Sequence, residues 1–161
     1  MTQALGQPAV STVGLPCSQK LELKNGDTFT LIQTSSPYCY AEVLVENSST
    51  LEVSGNVMLY TGKLVVKNSA LVNYSETSNP AQLIVQVTST HHVLVDNSAT
   101  FVGAIYAPHA EVDIKNSAIL YGAIVAEEVD ADNSARIHYD EALADQSTPP
   151  YTVTLRSWRV P

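Results

Sequence analysis

The sequence predicts an all-β fold, a single-stranded β-solenoid (β-helix) of about six coils with a C-terminal capping strand. Three observations predict it: an aliphatic segment followed by Asn-Ser or Asn-Gly recurs six times, the positions around each asparagine alternate between apolar and polar residues, and one charged position changes sign from each copy to the next. Alternation with a period of two is typical of strands that bury one face. Repeats of about 20 residues cannot bury that face alone, so they must stack on one another.

The composition is that of a folded acidic domain. Of the 161 residues, 45% are apolar, and the formal charge is −8. This apolar content argues against disorder. No apolar run reaches the length of about 18 residues that a membrane helix needs, so we expect no direct membrane insertion. Phosphate binding requires a basic surface, so we expect no nucleic-acid partner.

The repeats divide the chain into three predicted parts. Residues 1–16 contain no Lys or Arg and no continuous apolar stretch, so we expect an N-terminal extension or cap and not a signal peptide. Residues 17–143 form the predicted solenoid, with a loop over the turn-rich segment 73–80. Residues 144–161 contain a strand-like pattern and are expected to pack on the solenoid.

An asparagine marks the same point in every repeat. Successive copies are 22, 21, 29, 19 and 17 residues apart. Asparagine tolerates the left-handed backbone region that a tight corner needs, and its amide can hydrogen-bond to the same residue of the next coil. We predict a structural ladder, with a ligand-binding strip as the less favoured alternative, formed by Asn25, Asn47, Asn68, Asn97, Asn116 and Asn133.

Apolar residues occupy three columns around the asparagines, and these columns predict the core. The columns lie four before, two before and four after each asparagine: Leu21, Val43, Leu64, Val93, Val112 and Val129; Leu23, Val45, Val66, Val95, Ile114 and Ala131; and Phe29, Leu51, Val72, Phe101, Leu120 and Ile137. Two after the asparagine the residue is small in most copies, which suits a tight corner. Gly103 and Gly122 share a further column, and we expect a tight bend there.

The residue before each asparagine alternates in charge. Equivalent residues of stacked parallel coils lie about 4.8 Å apart, so opposite charges attract at this position and like charges repel. We therefore predict a charge ladder formed by Lys24, Glu46, Lys67, Asp96, Lys115 and Asp132.

Both cysteines fall in one column of the repeat. Cys17 and Cys39 each precede an anchor asparagine by eight residues, so the stacked register brings their Cα atoms to about 5 Å, within disulfide range. Two separate thiols are the alternative. Their spacing is not that of a zinc or thioredoxin motif. A disulfide would indicate an oxidising compartment.

An aliphatic stripe is predicted on the outer face. Leu44, Val65 and Leu94 stand three before their asparagines, on the side of the strand opposite to the core columns. We expect either Trp158 with its neighbours or a partner protein to cover this stripe.

Residues with catalytic or metal-binding chemistry are few. No Ser-His-Asp motif, phosphate loop or dinucleotide fingerprint is present, and we assign no catalytic residue, no metal and no cofactor. Asp113 and Asp130 share a column and would be a weak cation or glycosidase pair. A solvated acidic face is favoured, as are structural roles for His91 and His92.

The last coil ends in a polar group that has two interpretations. His138, Tyr139, Asp140 and Glu141 offer a general acid–base set or a cation site, with Asp140 a weak metal candidate. A polar cap over an exposed edge is the favoured interpretation.

Three segments carry a resemblance to a bacterial family. Residues 103–110 (GAIYAPHA), 121–126 (YGAIVA) and 138–143 (HYDEAL) resemble the C-terminal β-helical domain of PilX-type pilus-assembly and related surface-anchored proteins. The resemblance is specific over residues 95–143 and weaker over 21–86. It implies a right-handed helix, a domain trimmed from a larger anchored protein, and a location outside the bacterial cell, reached through the periplasm.

Together these inferences predict a non-enzymatic extracellular structural or adhesive module of a pilus-related surface protein. A rigid solenoid face would contact other pilus or surface proteins, or glycans. One alternative is a homo-oligomer in which solenoids stack into filaments. The other, less favoured alternative is a carbohydrate-active β-helix enzyme.

Overall fold

The computed structural model describes residues 17–143. The predicted extension at 1–16, the predicted capping strand within 144–161 and the predicted packing of Trp158 lie outside the described residues.

The described chain consists of eleven short strands and two long ones of 15 and 13 residues, with two 3-10 helices at Pro80–Gln82 and Glu141–Leu143. The strands, in chain order, are β1 (Lys20–Leu23), β2 (Thr28–Ile32), β3 (Tyr38–Tyr40), β4 (Glu42–Glu46), β5 (Thr50–Ser54), β6 (Val57–Thr61), β7 (Leu64–Lys67), β8 (Leu71–Val72), β9 (Leu83–Val87), β10 (Val93–Asp96), β11 (Thr100–Ile114), β12 (Ile119–Ala131) and β13 (Arg136–Tyr139).

These strands wind into a parallel β-solenoid of about six turns, which confirms the predicted fold class. One face consists of β1, β4, β7, β10 and the ends of β11 and β12. A second face consists of β2, β5, β8, the beginnings of β11 and β12, and β13. The third contains β3, β6, β9 and the middles of β11 and β12. Consecutive strands lie on different faces, so nearly all pairing joins residues one coil apart.

The predicted core columns form the interior of the solenoid. Val43, Val45 and Leu51 are fully buried, as are Val112, Ile114 and Leu120, their equivalents three repeats later. The last coil is different, because no described strand follows β13 on that side. There Val129 is 44% exposed and Ile137 is 40% exposed, although both belong to core columns. The described solenoid therefore ends with its apolar interior open.

The corner after each aliphatic segment is a two-residue turn. Both its residues have positive φ, for example 58° at Asn68 and 59° at Ser69. Ala118 donates its backbone N–H to the carbonyl of Lys115 at 3.1 Å, which closes one such turn across three residues. Two consecutive positive φ angles with this hydrogen bond are the pattern of a type I′ turn. The prediction placed only the asparagine in the left-handed region; the residue after it lies there too.

The two predicted bend glycines lie inside strands. Gly103 in β11 and Gly122 in β12 are directly paired. Phe101 pairs with β8 on the second face and Ala104 with β9 on the third, so β11 bends between them and Gly103 lies at the predicted bend. A Cβ atom on Gly122 would lie 1.9 Å from the carbonyl oxygen of Gly103. The glycines are required because two coils approach too closely for a side chain.

The segment between the third and fourth coils forms the predicted loop. Its path is fixed by Asn73, which is buried and donates its side-chain N–H to the carbonyl oxygens of Val102 at 3.1 Å and Asn79 at 3.3 Å. Asn79 and Gln82 then form a capping box at the start of the 3-10 helix. The loop is thereby held against the later coils.

Candidate functional site

The predicted disulfide is present. Cys17 and Cys39 are bonded, with their Cα atoms 5.4 Å apart. The bond joins the segment before β1 to β3, and it therefore ties the start of the described solenoid to the coil that follows it.

The asparagines stack along one corner. The side-chain N–H of Asn68 donates to the amide oxygen of Asn47 at 2.9 Å, and Asn97 donates to Asn68 at 3.0 Å. Asn47 donates to Asn25 at 3.4 Å and Asn133 to Asn116 at 3.1 Å in the same way. One step differs, because Asn116 donates to the Asp96 carboxylate at 2.7 Å. These amides satisfy one another, which supports a structural role for the column.

The predicted charge ladder is paired over its first three members only. The Glu46 carboxylate forms ion pairs with Lys24 Nζ at 3.6 Å and with Lys67 Nζ at 3.1 Å. Asp96 and Asp132 instead accept hydrogen bonds from the backbone N–H of the asparagine that follows each of them. A short aspartate reaches its own corner more readily than a lysine one coil away. Among the described residues, ion pairing within this column therefore stops at Lys67.

A second charged column flanks the first and was missed by the sequence reasoning. Glu42 accepts from Lys20 at 2.6 Å and from Lys63 at 3.1 Å. Hydrogen bonds from Lys20 and Lys63 hold the pKa of Glu42 below its ordinary value. Residues five before each asparagine form this column, and reading that position down the repeats would have found it.

The aliphatic stripe lies between these two charged columns. Leu44, Val65 and Leu94 pair in register on β4, β7 and β10. Val65 is buried and the two leucines are half-buried. The stripe is therefore not the open apolar surface that the prediction described, because its members cover one another and charged side chains flank them on both sides.

Asp113 occupies the next position of this stripe, directly beside Leu94. Its side chain is 2% exposed, and Oδ2 accepts from His92 Nε2 at 2.9 Å and from Lys115 Nζ at 3.0 Å. The hydrogen bond to Asp113 raises the pKa of Lys115. Glu111 Oε2 lies 3.2 Å from the same His92 nitrogen. His92, Glu111 and Asp113 thus form one cluster of donor atoms, whereas the sequence grouped Asp113 with Asp130.

Asp130 and Asp140 lie apart from that cluster. Asp130 pairs in register with Asp113, but its carboxylate is half exposed and lies 3.8 Å from Lys115. Asp140 lies at the other edge of the last coil, where it lines a cleft. The three acidic residues named from the sequence therefore belong to two separate places.

The cleft has a volume of about 550 Å³ and lies between the 73–80 loop and the end of the last coil. Aromatic, hydroxyl and acidic side chains dominate its lining, which consists of Tyr74, Ser75, Ser78, Pro80, Val102, Tyr121, His138, Tyr139, Asp140 and Glu141. The sequence identified the last four as a polar group. It did not identify Tyr74 or the serines, because nothing in the repeat indicates where the loop folds.

Aromatic rings line both sides of the cleft. Tyr121 and His138 stack with their ring centroids 4.9 Å apart and their planes at 14°. Tyr74 and Tyr139 are exposed. Rings of this kind present an apolar face together with a polar edge. With two carboxylates and two serine hydroxyls nearby, the cleft can stack on a ring that carries hydroxyl groups and can hydrogen-bond to those groups.

Comparison with known families gives one match. Residues 38–146 match a family described as a domain of unknown function, DUF7305. The chain belongs to the DUF7305 family. The match includes the coils from β3 onward and both walls of the cleft, so these features belong to the DUF7305 domain itself. Searches of curated proteins and of solved structures found no match.

The described part of the DUF7305 chain contains no helix that is long and apolar enough to cross a membrane.

Proposed function

We propose that this DUF7305 domain is a non-enzymatic structural and adhesive module of a bacterial pilus-related surface protein, and that it binds glycans through the cleft of Tyr74 and Tyr139. The observation that carries the proposal is the cleft lining. Exposed tyrosine rings beside the carboxylates of Asp140 and Glu141 suit a sugar, whose ring faces are apolar and whose rim carries hydroxyl donors.

The rigidity of the scaffold supports this role. The cleft is lined by a loop that Asn73 ties to β11 and by a strand that pairs in register with β12. A preformed site loses less conformational entropy when it binds a ligand. The disulfide fits the extracellular setting, because disulfides persist in oxidising compartments. The resemblance of residues 103–143 to PilX-type proteins supplies the pilus-related context.

The state of Asp113 argues against hydrolysis by the Asp113–Asp130 pair. A glycosidase needs two carboxylates that reach the substrate from opposite sides of the scissile bond. Asp113 is buried and already accepts from His92 and Lys115, and it does not line the cleft. Asp113 thus lacks access to a sugar, and Asp130 alone cannot supply the two carboxylates.

A glycan array probed with the full chain tests the proposal. We expect binding to a defined set of glycans, with Tyr139→Ala and Tyr74→Ala each abolishing most of the signal. Ile32→Ala is the matched control, because Ile32 is 50% exposed, as Tyr74 is (51%), and does not line the cleft. Loss of signal in all three variants, or equal binding by the wild type and both tyrosine variants, would contradict the proposal.

A filament subunit is a second candidate function, and the open end of the described coils, at residues 129–139, favours it. Val129 and Ile137 expose core positions at the last described coil, where another solenoid end could pack. Light scattering across a concentration series tests this candidate. Growth of long particles that Ile137→Lys prevents would support it, whereas a constant monomer mass would exclude it.

A further inference from the structure

His92, Glu111 and Asp113 bring three ligand atoms together on the outer face. All three atoms lie within 4.8 Å of one another. His92 Nε2 is 2.9 Å from Asp113 Oδ2 and 3.2 Å from Glu111 Oε2. Ligands bound tetrahedrally at about 2.0–2.1 Å lie roughly 3.4 Å apart, so small rotations of the two exposed side chains would bring all three atoms onto one ion.

The Asp113 side chain supplies a second, independent indication of a ligand. It is 2% exposed, and its Oδ1 atom is buried without a hydrogen-bond partner. Burying a carboxylate oxygen without a partner costs free energy, and such atoms mark places where an ion or water completes the contacts. The carboxylate that supplies Oδ2 to the cluster therefore keeps unused acceptor capacity on its second oxygen, Oδ1.

The solenoid geometry explains how the cluster arises. His92 precedes β10, while Glu111 and Asp113 lie two apart on β11, the neighbouring strand of the same face. Residues two apart on a strand point to the same side. The histidine therefore lies one strand spacing from Glu111 and diagonally across from Asp113.

We propose that His92, Glu111 and Asp113 form a binding site for a divalent transition metal of the zinc type, a site that goes beyond the glycan cleft. One imidazole nitrogen and two carboxylate oxygens match the ligands of zinc, and the two charges on the carboxylates neutralise the ion. Calcium requires six to eight oxygen ligands, which this cluster does not supply. Water would take the fourth position, because His92 and Glu111 are half exposed.

Lys115 competes with the metal for the carboxylate of Asp113. Its ammonium lies 3.0 Å from Asp113 Oδ2, and a metal on that oxygen would repel it. Asp130 lies 3.8 Å from the same ammonium and offers it a second partner. Metal binding therefore requires a transfer of Lys115 from Asp113 towards Asp130, and removing the lysine should strengthen the site.

Calorimetric titration of the tag-free full chain, stripped of metal with a chelator, tests the proposal with Zn²⁺, and separately with Ca²⁺. We expect one equivalent of Zn²⁺ to bind and Ca²⁺ to bind much more weakly. His92→Gln and Glu111→Gln should each weaken Zn²⁺ binding by at least about tenfold, and Lys115→Met should strengthen it. His91→Gln is the matched control, because it removes an exposed histidine next in the chain that lies outside the cluster.

The visible absorption spectrum of the Co²⁺-loaded protein tests the coordination geometry of the site independently. We expect the wild type to show the intense visible absorption of a tetrahedral cobalt site, and His92→Gln to lose it. Equal losses in His91→Gln and His92→Gln, absence of stoichiometric Zn²⁺ binding, or tighter binding of Ca²⁺ than of Zn²⁺ would each overturn the proposal. Because both ligand substitutions are at half-exposed positions, an unchanged circular dichroism spectrum will show that the variants remain folded.

Discussion

The close contact between Gly103 and Gly122 makes a quantitative prediction about the stacking of the coils. In Gly122→Ala, the new Cβ would lie 1.9 Å from the Gly103 carbonyl oxygen, which is a backbone atom and cannot rotate away. A comfortable carbon–oxygen contact is about 3.3 Å, so the two strands must separate locally by more than about 1 Å.

The cost follows from this separation and from the backbone angle. Gly122 has φ of 143°, a region that costs a non-glycine residue about 1–3 kcal/mol. Moving the strands apart weakens the neighbouring ladder hydrogen bonds, each of which contributes about 0.5–1.5 kcal/mol. We expect Gly122→Ala to lower the free energy of unfolding by about 4 kcal/mol, a large share of the 5–15 kcal/mol typical of a domain.

Urea unfolding of the oxidised protein, followed by circular dichroism, measures this loss. Gly26→Ala is the matched control, because Gly26 also has positive φ but a Cβ there would meet no atom within 4 Å. We expect the control to lose only about 1 kcal/mol. If the two variants lose equal stability, the close approach of β11 and β12 does not determine the requirement for glycine.

Three further substitutions test the corner and the core. Ser49→Ala should raise the free energy of unfolding by about 1 kcal/mol in urea, because the buried hydroxyl of Ser49 has no partner; an unchanged or lower value would contradict this. Asn68→Ala should lower the free energy of unfolding more than Asn68→Gly does. Both variants lack the ladder hydrogen bonds, but only alanine is also strained at φ of 58°. Equal losses of stability would show that backbone strain is unimportant there. Burial raises the pKa of Tyr40 to about 12, which favours its neutral form in the folded protein; about 2–3 kcal/mol of stability should therefore be present below pH 10 and be lost as the pH rises towards 12. Tyr40→Phe should flatten that part of the pH profile, and an identical profile for both proteins would refute the assignment.

The coil register could be predicted from the sequence because the chain repeats its own geometry. The residue type in each apolar column is determined by one requirement: a side chain that faces inward must contact the equivalent side chains of the coils above and below it. The pairing of Leu21 with Val43 and of Val43 with Leu64 follows from this requirement alone. The same register placed Cys17 next to Cys39.

Features outside the repeat could not be predicted in the same way. The position of Tyr74 depends on how the loop is anchored by Asn73, a contact with Val102 that no periodic pattern indicates. The ion pairs depend on side-chain length. The short side chain of Asp96 accepts a hydrogen bond from the backbone of Asn97, whereas the longer side chain of Glu46 reaches two lysines. The cluster around Asp113 required the diagonal neighbour on the adjacent strand, whereas the sequence reasoning compared only residues of equal position.

The two-residue corner has a consequence for how such a molecule can change in length. In each Asn-Ser turn the serine N–H donates to the carbonyl of the asparagine one winding further on, as Ser98 does to Asn116. Because every winding is joined to the next by the same hydrogen bond, one winding is interchangeable with another. Duplicating or deleting one would lengthen or shorten the rod by a single strand spacing, about 4.8 Å, without disturbing the joints on either side. The outward positions of each winding are then free to diverge, so the proposed glycan cleft and the proposed metal site can lie on different faces of the same coils.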